Sequence, residues 1–89
     1  MANSKSAEKR VRQNIKTRDR NRARVASLRT AIKSVRTAVA EGDAETAKSL
    51  LDPTLAMIDR TRSRGVIHRN AAARRKSRLV RLVGTLDAS

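Results

Sequence analysis

The residues with the clearest chemical potential in this sequence are cations, and most of them are arginines. Of the 89 residues, 16 are Arg and 6 are Lys, against 8 acidic residues, so the formal net charge at pH 7 is +14. A guanidinium group presents a planar fork of donors that binds phosphate oxygens in pairs, whereas an ammonium acts as a point charge. The excess of Arg over Lys therefore favours phosphate binding over charge that serves only solubility.

The densest run of positive charge covers residues 5–24, where only Glu8 and Asp19 interrupt the cations. At about 100° per residue along a helix, these cations point in nearly every direction. Like charges three and four positions apart destabilise an isolated helix, so a polyanion is a better partner for this segment than solvent. The residues that we predict to bind nucleic acid here are Lys5, Lys9, Arg10, Arg12, Lys16, Arg18, Arg20, Arg22, Arg24 and, further along, Arg29.

Other kinds of site are poorly supported. His68 is the only histidine and the chain has no Cys. A single His without Cys or flanking carboxylates does not make a metal site, and nothing in the spacing fixes a catalytic triad around it. Three scattered glycines do not form a phosphate-binding loop. We therefore predict no enzymatic activity, no metal and no cofactor, and give His68 a structural or RNA-contacting role.

The absence of Phe, Tyr and Trp narrows the class of nucleic-acid binder. Modules that stack single-stranded bases on aromatic rings are excluded. A membrane surface is a weaker partner, because residues 5–24 lack an apolar face with aromatic anchors. The longest apolar run, residues 55–58, is too short to cross a bilayer, and no secretory signal follows the basic N-terminus. We expect a cytoplasmic protein with no membrane partner.

The distribution of charge indicates whether the partner is RNA or DNA. A helix that reads a DNA groove usually turns one face to the bases and the rest to solvent. In residues 5–24 no face is spared, which favours a folded RNA whose phosphates approach from several sides. A histone-like DNA-binding protein and a membrane-active cationic helix remain as alternatives.

Helices must position these cations, because helix-forming residues dominate and no stretch alternates with a period of two. Gly42 and Gly65 indicate where the first two helices end, and Asp43 is a natural N-cap for the second. Asp52-Pro53 predicts that the second helix is kinked or restarts near 52–53. The expected spans of the three helices are 6–41, 43–64 and 68–86.

Each helix carries an apolar stripe. On the first helix the stripe residues are Val25, Leu28, Ile32, Val35 and Val39. On the second they are Ala44, Ala47, Leu51, Leu55 and Ile58, and on the third Ala72, Leu79, Leu82, Val83 and Leu86. The first stripe covers only half of its helix, and the net charges of residues 1–39, 40–64 and 65–89 are +10, −1 and +5. We predict an all-α single domain, a three-helix bundle with a long, basic, projecting first helix and a neutral second helix that serves as scaffold and not as binding surface.

Three stretches of the chain resemble motifs of one family. Residues 2–10 (ANSKSAEKR) resemble its opening motif, residues 27–33 (SLRTAIK) its middle motif, and residues 65–79 (GVIHRNAAARRKSRL) its G-V-I-H-K-N signature. The family is that of the twentieth protein of the bacterial small ribosomal subunit, the S-twenty family. The motifs occur in the family's order and cover essentially the whole chain.

This resemblance implies a three-helix bundle that binds small-subunit ribosomal RNA directly, early in assembly, at the bottom of the subunit body. It implies other ribosomal components as neighbours, no small-molecule substrate and no obligate homo-oligomer. Arg69 and Arg75 stand where Lys is common in the family, which keeps the charge. Besides the N-terminal cations, the RNA-contacting positions that the resemblance implies are His68, Arg69, Asn70, Arg74, Arg75, Lys76, Ser77 and Arg78.

Overall fold

Three helices account for nearly all of the described chain. The computed structural model describes residues 2–87, with side chains from residue 5 to residue 86. Helix α1 spans Ala2–Ala40, α2 spans Ala44–Ser63 and α3 spans Arg69–Asp87, and no strand occurs in this range. The molecule is elongated, with extents of 69 × 21 × 14 Å, because the N-terminal half of α1 extends beyond the packed part. The fold is an all-α helical bundle, as predicted.

The connection between α1 and α2 is made by residues 41–43. Gly42 adopts a positive φ of 72°, a conformation that a side chain rarely allows. The N–H of Gly42 donates to the Val39 carbonyl at 3.0 Å and the N–H of Asp43 to the Ala38 carbonyl at 2.9 Å. This is the Schellman arrangement, which provides partners for carbonyls at the end of a helix.

Asp43 also begins α2, as predicted for an N-cap. Its carboxylate accepts hydrogen bonds from the Thr46 N–H at 3.1 Å and from the Thr46 hydroxyl at 2.6 Å. The hydroxyl bond first, and then the backbone bond, hold the pKa of Asp43 below its usual value of 3.8. One residue therefore both completes the end of α1 and caps the start of α2.

The connection between α2 and α3 uses the same arrangement. Gly65 has a φ of 73°, its N–H donates to the Arg62 carbonyl at 2.9 Å, and the Val66 N–H donates to the Thr61 carbonyl at 3.1 Å. Val66 and Ile67 are half-buried and lead into α3.

The core lies between the C-terminal half of α1 and the other two helices. Its buried apolar residues are Leu28, Ile32, Val35, Ala38, Ala47, Ile58, Ala72, Leu79 and Val83. The predicted stripe residues Val25 and Val39 are only half-buried, and Ala38 takes an interior position instead. A straight helix of 3.6 residues per turn drifts relative to a seven-residue repeat, so the buried face moves around α1.

Two threonines of α2 occupy core positions that the stripe prediction omitted. Thr54 and Thr61 are 3% and 4% exposed, and their hydroxyls donate to the carbonyls of Leu50 and Met57 at 2.7 Å. A buried hydroxyl is costly only when it lacks a partner. Bonding to the carbonyl one turn earlier therefore lets a polar residue lie inside the bundle.

Of the two alternatives predicted near 52–53, the restart is wrong, because α2 runs without interruption through Pro53. The kink stays a prediction. Proline lacks the N–H that would bond the Ser49 carbonyl. Ser49 and Pro53 are both exposed, so solvent reaches this side of the helix. The flanking residues Leu50, Leu51 and Leu55 pack against the core and hold α2 together on both sides of the proline.

Candidate nucleic-acid interface

The projecting part of α1 is a solvent-exposed basic rod. Every side chain in residues 5–20 is exposed, and the first fully buried residue of α1 is Leu28. Val11 and Ile15, which carry the apolar pattern into this part, are 55% and 44% exposed. Within the described residues, the rod therefore lies outside the packed core, and its cations are accessible to phosphates that approach from different sides.

A basic groove of about 720 Å³ lies between α1 and α3. We call it the α1–α3 groove. Its apolar base is formed by Ile32, Leu79 and Leu82, and no acidic side chain among the described residues lines it. The cations along its two walls are Arg29, Lys33 and Arg36 from α1 and Arg74, Arg75 and Arg78 from α3.

Helical spacing explains why these cations share the α1–α3 groove. Arg29, Lys33 and Arg36 are spaced by four and three residues, so they lie on one face of α1 beside the buried stripe. Arg74 and Arg78 are one turn apart on α3 and face them. Six like charges in one groove repel one another, and bound anions would relieve that repulsion.

Only some of the cations that line this groove are among the site residues predicted from the sequence. The structure brings together four predicted site residues, Arg29, Arg74, Arg75 and Arg78, although Arg29 lies more than 40 positions before the other three in sequence. Lys33 and Arg36 also line the groove and were missed. The signal that identifies them is their position in the same sector of α1 as Arg29.

A second basic groove, of about 300 Å³, lies between α1 and α2. Arg20 and Arg24 of α1 line it together with Arg60 and Arg64, which stand at the end of α2 and just after it. That the second helix is scaffold and not binding surface stays a prediction, although two arginines at its C-terminal end line a groove with cations of α1. Although residues 40–64 are nearly neutral as a whole, Arg60 and Arg64 lie one turn apart within them and extend the basic surface of α1.

A third groove, of about 670 Å³, runs along α1 beside the α2–α3 connection. Arg18, Arg22 and Arg29 line it together with Val66 and with uncharged polar residues of α1. The predicted site residues Lys5, Lys9, Arg10, Arg12 and Lys16 lie on the exposed rod and line none of these three grooves.

His68 begins α3. Its Nδ1 atom accepts a hydrogen bond from the Asn70 N–H at 3.1 Å, and its carbonyl accepts one from the Ala72 N–H at 3.0 Å. Because Nδ1 is the acceptor, the neutral ring carries its hydrogen on Nε2. The His68 and Arg69 side chains are exposed. Sequence reasoning allowed a structural role for His68 but missed this cap, because His is not among the usual N-cap residues.

Lys76 is engaged within the protein. Its Nζ atom lies 3.0 and 3.2 Å from the two carboxylate oxygens of Asp59 on α2. An exposed ion pair of this kind contributes little to stability, but it turns Lys76 toward α2 while Arg75 lines the α1–α3 groove. Of the other predicted residues, Asn70 and Ser77 are exposed on α3.

Other types of site find no support in the described part of the chain. Within it, no group of His, Asp and Glu side chains is placed to hold a metal ion. None of the helices, as far as residues 2–87 describe them, is long and apolar enough to span a membrane.

Comparison with known proteins assigns the family. Residues 2–84 match the family model described as ribosomal protein S20. The small ribosomal subunit protein bS20 of Nitrosomonas eutropha is 52% identical over 79 residues, which cover 89% of this chain and 91% of that protein. The protein of the same name from Geobacter metallireducens is 48% identical over 86 residues, covering 97% of this chain and 99% of the relative. The chain therefore belongs to the ribosomal protein S20 family.

Proposed function

We propose that this chain is a structural constituent of the small ribosomal subunit that binds the subunit's ribosomal RNA directly and stabilises its fold during assembly. Its family is one of ribosomal proteins and not of enzymes. Its place in the cell is then the cytoplasm, within the ribosome, where the neighbours are ribosomal RNA and other ribosomal components.

The observation that carries this proposal is the arrangement of cations around α1. The α1–α3 groove holds six cations, and the groove between α1 and α2 adds four arginines on another side of the same helix. A protein that lies on one duplex needs a single basic face. Basic surfaces on several sides suit a protein that is inserted between separate segments of a folded RNA.

The mechanism is electrostatic and geometric. The packed core fixes how α1 and α3 lie against each other, so the two helices carry their arginines on a rigid support before binding. Phosphates of two RNA segments that repel each other would then be neutralised from a common rigid support. The proposed contact residues are those predicted from the sequence, joined by Lys33, Arg36, Arg60 and Arg64, which line the same grooves.

Binding measurements at several salt concentrations test the proposal. A transcript of small-subunit ribosomal RNA is compared with duplex DNA of equal length. We expect preferential binding of the transcript and, for about eight phosphate contacts, a log–log salt dependence with a slope of about −6 to −7. Equal affinity for the duplex DNA at matched salt would instead indicate a general DNA-binding protein. A slope near −2 would mean that most of the basic rod makes no contact.

Crosslinking in cell lysate gives an independent test. After irradiation, RNA and DNA bound to the chain are isolated and sequenced. Recovery of one region of small-subunit ribosomal RNA is the expected result. Recovery of dispersed genomic DNA, or of transcripts without any preference for ribosomal RNA, would contradict the proposal.

A further inference from the structure

The projecting half of α1 carries a strip of uncharged polar side chains, Asn14, Thr17 and Asn21. At about 100° per residue they fall within a sector of about 60°. No cation between residues 11 and 23 falls in that sector by the same measure, although Arg10 does. The positive charge on this side of the helix is therefore interrupted from residue 11 to residue 23. Asn14 and Thr17 are exposed and Asn21 is half-buried.

The strip continues the core-facing side of α1. The same 60° sector holds Leu28, Ile32 and Val35 in the packed half of the helix, where all three are buried. Beyond the bundle, apolar residues on this side give way to amides and a hydroxyl.

The strip lines a concave surface. Asn14, Thr17 and Asn21 all line the groove of about 670 Å³ beside the α2–α3 connection, where Val66 forms the opposite wall. Arg18 and Arg22 line the same groove and lie next to the strip on one side. The groove therefore places hydrogen-bonding groups along one side and cations beside them.

The chemistry of the strip differs from that of the rest of the interface. A phosphate oxygen only accepts hydrogen bonds, so Arg and Lys are its natural partners. An amide and a hydroxyl can each donate and accept, and so can the 2′-hydroxyl of ribose. The minor groove of an A-form RNA duplex is wide and shallow and displays these hydroxyls, with phosphates along its edges.

We propose that Asn14, Thr17 and Asn21 bind the minor groove of an RNA duplex through its 2′-hydroxyls, and that this strip is the part of the interface that distinguishes RNA from DNA. The inference rests on the proposed function, since it assumes that the basic surface binds RNA. It adds to that function a selective contact that phosphate neutralisation does not provide. Arg18 and Arg22 hold the flanking phosphates.

The test variant replaces the three strip residues by Ala (N14A/T17A/N21A). Alanine has a higher helix propensity than Asn or Thr, so the helix is retained and no cation is removed. We expect the affinity for a small-subunit ribosomal RNA transcript to fall by about tenfold to a hundredfold, as for the loss of two or three hydrogen bonds. The salt dependence of binding stays unchanged, because the number of phosphate contacts is the same.

A matched control removes three exposed hydroxyls from the other side of the same helix. Thr30, Ser34 and Thr37 are exposed and lie roughly opposite the strip. The T30A/S34A/T37A variant likewise replaces three uncharged polar residues of α1 by Ala, without altering the proposed contact; two of the lost hydroxyls bond backbone carbonyls of α1. We expect it to bind the transcript within about twofold of the unaltered chain.

The readout that isolates the 2′-hydroxyl contact is analogue interference. Transcripts with scattered 2′-deoxy substitutions are separated into bound and free fractions and sequenced. The unaltered chain and the control should show a cluster of positions where 2′-deoxy substitution weakens binding, and N14A/T17A/N21A should lose that cluster.

The possible outcomes distinguish failure of this inference from failure of the proposed function. An interference cluster that persists in the strip variant, or its absence with the unaltered chain, overturns the inference and leaves ribosomal RNA binding intact. Failure of the unaltered chain to bind the transcript in preference to DNA overturns both the inference and the proposed function.

Discussion

The Nδ1 atom of His68 accepts a hydrogen bond from the backbone N–H of Asn70 at 3.1 Å, and so caps the N-terminus of α3. This fixes the ring at the start of the helix that supplies three cations to the α1–α3 groove. It also leaves the Nε2–H of the neutral ring as the remaining donor. The cap for α3 and the proposed contact with an RNA oxygen would thus use different nitrogens of one side chain.

Variants at His68 separate these two roles. We expect His68→Ala to lose the cap and to lower the free energy of unfolding by about 0.5–1.5 kcal/mol, as for the loss of one hydrogen bond, and also to weaken RNA binding. His68→Asn retains a capping acceptor but has no Nε2–H, so stability should recover while RNA binding stays weakened. Chemical denaturation and filter binding measure the two effects. Full recovery of RNA binding in His68→Asn would show that His68 acts only as a cap and does not contact RNA.

Replacing Arg18, Arg20 and Arg22 by Gln tests whether the rod is functional rather than structural. All three side chains are exposed and none contributes to the core. We expect RNA binding to weaken, with a log–log salt slope less steep by about 2–3. Thermal unfolding of the bundle should stay unchanged or improve slightly, because the like charges of Arg18 and Arg22, one turn apart, no longer repel each other. Loss of the folded bundle would show that these arginines are structural.

The α1–α3 groove makes a separate prediction. Removing two of its cations, with Arg74→Gln and Arg78→Gln together, should weaken RNA binding and reduce the magnitude of the salt slope by about 1.5–2.

The comparison for this groove variant is the pair Arg62→Gln and Arg81→Gln, which changes the net charge equally. Both arginines are exposed and line none of the grooves described above. Equal losses of affinity in the two double variants would mean that net charge matters and that the α1–α3 groove has no special role.

Periodicity and charge are enough to predict the helices and the basic rod, since both are local properties of the chain. The grooves are not local, because Arg29 and Arg78 line the same groove only as a result of Leu28 and Leu79 packing in one core. Predicting buried residues from an apolar stripe also fails where a polar side chain bonds to the backbone of its own helix. Thr61 is polar and is expected at the surface, yet its hydroxyl donates to the Met57 carbonyl and the side chain is buried.

A pair of isoleucines on α1 tests where the core begins. Ile32 is 9% exposed and Ile15 is 44% exposed. We expect Ile32→Ala to lower the free energy of unfolding by about 2–5 kcal/mol, because it removes buried methyl groups and leaves a cavity. Ile15→Ala should change it by no more than about 0.5 kcal/mol, as is usual at the surface. Urea denaturation followed by circular dichroism provides both values, and similar losses at the two positions would place Ile15 in a packed environment.

The cap at Asp43 predicts how stability depends on pH. The Thr46 hydroxyl and N–H stabilise the charged carboxylate, so its pKa in the folded chain lies below the usual 3.8. Stabilisation is therefore complete above the pKa of the unfolded chain and is lost as the pH falls through that of the folded chain. Asp43→Asn keeps an acceptor for the Thr46 N–H but does not titrate. The free energy of unfolding of the unaltered chain should thus fall more steeply than that of Asp43→Asn between about pH 5 and pH 2. Denaturant titrations at constant ionic strength measure this difference, and parallel pH profiles would show that the contacts with Thr46 do not favour the charged form.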